Sequence, residues 1–195
     1  MRRLLVLTLM GLAACTAPFD PEIERSGLGD FTLQHLVVIV DAPIKGPVSR
    51  SATDAQLKAA VTDAVGTRFR RFAGDTPYSI GIKVQGYVLA PRAVPVLFAP
   101  RSHLFLSVNA YDGDQQRLNA DTLNITVNER AGGDTVVGSG YYQTAEEQLA
   151  ELAANAAIEI ERWLRENEDW FGGAEARPEN RQAPADAPEN PPGGA

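Results

Sequence analysis

The chain is poor in the residues from which enzymatic and metal chemistry is most often assembled. It has one cysteine, Cys15, two histidines, His35 and His103, and 18 basic against 25 acidic residues, a formal charge of −7. A single thiol excludes an internal disulfide and any zinc site that draws on two or more cysteines. The acidic balance argues against nucleic acid as a partner, because gripping a phosphate backbone needs a basic surface. Neither a Walker loop nor a dinucleotide fingerprint occurs: Gly138-Ser139-Gly140 precedes an acidic helix without the further glycine or lysine those motifs require. The same triplet lacks the spacing of a nucleophile elbow. His35 leads into an apolar run and His103 follows Arg101 and Ser102, positions that suit a strand end or a surface better than the base of a triad. Asp112-Gly113-Asp114 is not followed by the ligand series of an EF-hand and reads as a hairpin turn. No catalytic residue, metal site or cofactor is therefore expected. The remaining catalytic alternative is a carboxylate enzyme built from the dispersed Asp41, Asp112 and Asp121, since such sites need not be contiguous in sequence.

What is present begins with an address. Residues 1–14 carry the cationic pair Arg2 and Arg3, an apolar stretch from Leu4 to Leu12 and then small residues, the pattern of a secretory signal. The apolar stretch is too short for a spanning helix, which takes roughly 20 residues. Leu12-Ala13-Ala14-Cys15 resembles the lipobox of bacterial lipoproteins. That resemblance implies diacylglycerol on the Cys15 sulfur, cleavage before Cys15 and acylation of the new N-terminus, palmitate included. Thr16 in place of an aspartate then implies sorting to the outer membrane, facing the periplasm. A thiol consumed as a thioether also escapes the oxidising compartment that makes a free exported cysteine a liability. Loss of Arg2 and Arg3 makes the mature chain two charges more acidic, so attachment would rest on the acyl chains.

Composition divides the rest. Residues 15–30, with Pro18, Pro21, Gly27 and Gly29, read as a tether. Residues 172–195 read as a disordered tail rich in proline, alanine and glycine, with too little apolar surface to offset its ordering entropy. The globular domain is expected over 31–171. Within it, Leu36 to Val40 is an apolar, β-branched run that predicts a central strand buried on both faces. Leu57, Val61, Ala64, Val65, Phe69 and Phe72 recur at helical spacing behind a Thr53–Gln56 capping box, with Arg68, Arg70 and Arg71 in the last turns and Gly74 as the stop.

From Tyr78 to Leu89 the chain alternates, with Ile80, Ile82, Val84 and Val88 on one face and Ser79, Lys83, Gln85 and Tyr87 on the other. Two more alternating runs follow through Leu104–Ala110 and Leu123–Val127, and a weaker one over Thr135 to Tyr142. Thr144 and Glu147 form a second capping box before a long amphipathic helix, whose Glu151, Glu159, Glu161 and Arg162 read as solvated surface. The order β-α-β-β-β-β-α predicts an α+β two-layer sandwich, a mostly antiparallel sheet of four to five strands with two helices on one face.

One segment does not fit a plain structural role. Ala90 to Arg101 sets Val94, Val96, Leu97 and Phe98 among three prolines and two arginines. Proline discourages a central strand there, and an open loop of this kind would offer an apolar contact to a partner. Lipobox, compact body and tail together resemble the small predicted lipoproteins of Gram-negative bacteria. In element order the body is similar to accessory lipoproteins of envelope assembly and lipid transport. The resemblance implies a non-catalytic accessory that binds an envelope protein, held to the membrane through lipidated Cys15. A carrier of an apolar ligand or lipid between helix and sheet is the alternative.

Overall fold

The computed structural model describes residues 26–91, 101–129 and 143–180. Strand β1 (Phe31–Lys45) is followed by helix α1 (Asp54–Phe69), strands β2 (Thr76–Val88), β3 (His103–Tyr111) and β4 (Leu123–Asn128), and helix α2 (Ala145–Glu166). Short 3₁₀ turns continue to Asn180. The sheet runs β1-β2-β3-β4, with β1 parallel to β2 and the other pairs antiparallel. The parallel pair follows from the crossover: a strand returning through a helix comes back in the same direction. Both helices cover one face, α1 over β1 and α2 over β3 and β4, and they pack on each other, giving a two-layer α+β sandwich. The expected strand over Thr135 to Tyr142 lies outside the described residues.

The helices start where their caps place them. Thr53 Oγ1 accepts from Gln56 N at 3.2 Å while Gln56 Oε1 accepts from Thr53 N at 2.9 Å, and Thr144 and Glu147 repeat the exchange at 3.1 and 2.7 Å. Each pair satisfies two of the amides a helix start leaves orphaned. From α1, Leu57, Val61, Val65 and Phe69 are buried; from α2, Leu149, Leu152, Ala156, Ile160 and Leu164 are buried against them and the sheet.

Three expectations are corrected. Among the described residues β1 is not central but an edge strand: α1 returns the chain on one side of β2, and β3 and β4 then extend the sheet on the other. Because both helices lie on one face of the sheet, the apolar run is buried on one side only, with Val38 in the core and Val37 and Ile39 exposed. In β2, Tyr87 is buried rather than outward-facing, because the register with β3 slips between Val84 and Gly86 and one extra residue reverses the alternation. Gly86 permits the slip: a Cβ there would stand 2.6 Å from the Ile44 carbonyl oxygen. The inverted Tyr87 places its hydroxyl on the loop before α1, donating to Ala52 O at 3.1 Å and accepting from Ala52 N at 3.2 Å. The third is Glu161, which is buried under arginines and not solvated.

Residues 26–30 and 172–180, assigned above to tether and tail, are packed against each other where they are described. Leu28 is buried, Asp30 N donates to Phe171 O at 2.7 Å, and Gly27 N donates to Glu179 at 2.6 Å. Around this junction Phe31 meets Phe69, Phe72, Tyr78 and Phe171 with ring centroids 5.2 to 6.1 Å apart.

Candidate functional site

Among the described residues the large apolar side chains left in solvent are gathered rather than scattered. Val37 and Ile39 are 53% and 52% exposed, Ile44 and Val48 76% and 69%, and Phe105 37%. Four of these five belong to β1 and its continuation. Single exposed leucines or valines are ordinary on a protein surface; a run of them along one sheet edge is not.

The register explains the exposure. Val37 stands opposite Gly81 and Ile39 opposite Lys83, so the neighbouring strand offers one residue with no side chain and one whose ammonium seeks water. The outer face changes character farther across the sheet. Gln85 Nε2 donates to Ser107 Oγ at 2.9 Å, Ser107 Oγ donates to Asn124 Oδ1 at 2.6 Å, and His103 Nδ1 lies 2.5 Å from Asn128 Oδ1. The face is thus apolar along β1 and a polar network from Ser107 to β4.

Past Val40 the strand breaks step: Ala42 takes a positive φ of 46° and pairing resumes at Ile44 opposite Gly86. The chain then stays beside the end of β2, with Gly46 N donating to Tyr87 O at 3.0 Å and Arg50 N to Leu89 O at 2.9 Å. Arg50 ties two chain exits together, its Nε donating to Ala90 O at 2.7 Å and its Nη1 to Gln143 O at 3.0 Å. Ser102 Oγ accepts from Ala90 N at 2.9 Å. Val94, Val96, Leu97 and Phe98 lie outside the described residues, as does Cys15. The borders of that loop, Ala90 and Ser102, sit beside the continuation of β1, so the sheet edge and the base of the loop adjoin.

The helical face carries a different arrangement. Glu161 is 3% exposed and forms ion pairs with Arg68, Arg71 and Arg165 at 2.5, 2.6 and 2.7 Å. The amphipathic pattern assigned it to solvent, but the arginines of the last α1 turns fold over it and close that part of α2. Burial pushes its carboxyl up, and the hydrogen bonds from Arg71 and Arg165 with the charges of Arg68 and Arg165 outweigh it, holding the pKa below the ordinary carboxylate value. Beside this knot a groove of about 660 Å³ runs between α1 and α2, floored by Ala60, Ala64, Ala154 and Ala157 with Arg68 and Arg71 at one end. It lies between two helices, not between helix and sheet.

Asp41 and Asp112 are not brought together. Asp41 follows Val40, which pairs with Val84, whereas Asp112 follows Tyr111, which pairs with Ser79, so the two stand roughly 20–25 Å apart along the sheet. Asp112 Oδ1 accepts from Asp114 N and Gln116 N at 3.0 and 2.8 Å, the arrangement of a turn. His35 is exposed on β1. Among the described residues no cluster of three or more His, Cys, Asp or Glu side chains could hold a metal, and no helix is long and apolar enough to cross a membrane.

No protein-family model matches the chain, and no curated protein matches it. Among solved structures it is similar to a candidate lipoprotein from Caulobacter crescentus, at 15% identity over 74% of this chain and 96% of that one, TM-score 0.29. It is also similar to a minor lipoprotein from Acinetobacter baumannii, at 14% identity over 68% and 93%, TM-score 0.28. A protein from Xanthomonas campestris of the DUF330 family gives 12% identity over 72% and 90%, TM-score 0.34. At these TM-scores the likenesses carry nothing over to this chain.

Proposed function

We propose that the protein is a lipid-anchored, periplasm-facing lipoprotein of the outer membrane that serves as a non-catalytic binding and assembly accessory of a cell-envelope complex. Its docking surface is the outer side of β1 with its continuation to Val48, and the adjoining loop with Val94, Val96, Leu97 and Phe98 contributes to the same contact. The observation that carries the reading is the concentration of exposed aliphatic side chains, Val37, Ile39, Ile44 and Val48, along one sheet edge. Apolar side chains gathered on the outer face beside a strand edge favour a partner that lies on that face of the sheet. The anchor rests on Leu12-Ala13-Ala14-Cys15 and on the cationic, short apolar stretch before it.

A photo-crosslinking residue at position 37 of the full chain, irradiated in native membranes, tests the surface. A stoichiometric adduct with an integral envelope protein, lost in a folded Ile39→Asp variant, supports it. No protein adduct, or one unaffected by Ile39→Asp, refutes it. Cys15→Ala tests the anchor: the protein should leave washed membranes for the soluble fraction, and its retention there would refute lipid attachment.

The groove between α1 and α2 favours a second reading, a carrier of a single acyl chain with an anionic head. Its alanine floor and arginine end suit such a ligand, and lipid retained through delipidating chromatography by wild type but not by Ala154→Trp would favour it.

A further inference from the structure

We infer that β1 pairs antiparallel with β1 of a second copy of this chain, about a two-fold axis at Val38. Among the described residues the sheet has two edges, and they differ. Along β4, Asn124 is bound to Ser107, Asn128 to His103, and the Asn128 carbonyl accepts from Asn155 Nδ2 at 3.2 Å. No large apolar side chain of β4 is among the exposed ones. β1 has the opposite character. Its pairing with β2 is irregular between Leu33 and His35 and again between Val40 and Ile44, which leaves a regular stretch from His35 to Val40, continued by Asp41. That window contains no proline, glycine or lysine, the residues that usually blunt an open edge.

The window is complementary to itself. An antiparallel pairing centred on Val38 sets Val37 opposite the other copy's Ile39 and His35 opposite its Asp41, and the two-fold axis makes each contact twice. Val37 and Ile39 are exposed on the outer side, and the cross-strand pairing brings β-branched side chains together there. At the two ends an imidazole N–H donor faces a carboxylate acceptor. On the inner side Leu36 meets Val40 and Val38 meets itself, which continues the core layer across the axis. A partner strand of another sequence would need no such symmetry of residue types, whereas a second copy supplies it by its two-fold axis. Two sheets of four described strands would then join into one of eight, and the apolar residues of both copies would form a single patch. The inference deepens the docking reading and rests on it in one respect: the same side of β1 is taken to be open.

Disulfide capture in native membranes tests the register. In the lipidated chain Cys15 is consumed, so Val37→Cys and Ile39→Cys each introduce the only thiol. Co-expressed and oxidised, the two variants should give a mixed disulfide dimer, whereas either alone should give little, because residues 37 and 37 lie on a diagonal too long for a disulfide. Asp41→Lys should weaken pairing roughly two- to thirtyfold, from two symmetric cross-strand contacts, and His35→Glu combined with Asp41→Lys should restore it. A surface change that merely unfolded the strand would not be rescued by exchanging the partners. Absence of dimer, equal dimer from each variant alone, or pairing indifferent to Asp41→Lys would overturn the inference. The two readings fail separately. An envelope protein captured at position 37 without any self-adduct overturns the pairing and leaves docking standing. A self-adduct without an envelope protein supports the pairing and removes docking.

Discussion

The pole where the chain enters the body and the edge formed by β1 are built on opposite terms. At the pole nearly every group has a partner: Phe31 touches four rings, Glu161 takes three arginines, Gly29 N donates to Glu168 Oε1 at 2.7 Å, and Arg177 grips both oxygens of Glu168 at 2.6 Å. Along β1 aliphatic side chains stand in water beside a glycine and a lysine. The contrast teaches that this fold holds itself together at one end and leaves its exposed apolar surface at another. Substitutions at the two regions should therefore read out differently, as stability at the first and as association at the second.

The largest effect is expected at the aromatic hub. Phe31→Ala removes a fully buried ring with four ring neighbours and should cost about 3–5 kcal/mol, seen as a lowered urea midpoint. Glu161→Gln should come next, at about 3 kcal/mol, because three arginines would face a group with no charge. Its pH dependence has a definite sign. The native pKa of Glu161 lies below that of the unfolded chain, so its contribution is full above the unfolded value of about 4.3 and is lost as pH falls through the native pKa. Stability of the Glu161→Gln variant should accordingly fall less steeply over that acid window than wild type. Equal slopes would show that the knot does not hold a charged carboxylate.

Gly29→Ala should cost about 1–3 kcal/mol, since φ is +49° there and a Cβ would collide with the Phe171 carbonyl. A loss of that size would also confirm that 26–30 belongs to the body. The smallest effect is expected at the other region: Val37→Thr and Ile39→Thr should change stability by no more than about 0.5 kcal/mol while abolishing capture at β1. A large loss of stability there would erase the difference between the two regions.

The sequence made the helices and their starts legible because caps and apolar spacing are local: Thr53–Gln56 and Thr144–Glu147 act within four residues. It made the alternation of β3 legible for the same reason, with Leu104, Leu106, Val108 and Ala110 all buried. What it could not carry was set by pieces distant in sequence. Whether Val37 and Ile39 face a neighbour depends on which strand takes the far side of β1, and β-branched runs look alike at a centre and at an edge. Tyr87 changed face through a slip in the pairing of β2 with β3 beside Gly86, which lies against the Ile44 backbone more than forty residues away. Glu161 looked like surface because its cover comes from Arg68 on the other helix and Arg71 just past that helix's end; the arginine cluster itself was visible as a run, and its partner was not. The site residues read from the sequence, Val94, Val96, Leu97, Phe98 and Cys15, lie outside the described residues, while the exposed edge beside the base of that loop was hidden until the topology was known.

The most direct test of the central claim, that β1 and its continuation form the docking surface, is photo-crosslinking from position 37 of the full chain in native membranes, followed by mass spectrometry. The account predicts a stoichiometric adduct with an integral envelope protein that disappears in folded Ile39→Asp. A chain that crosslinks to no protein at position 37, while its fold and membrane attachment are intact, would contradict it.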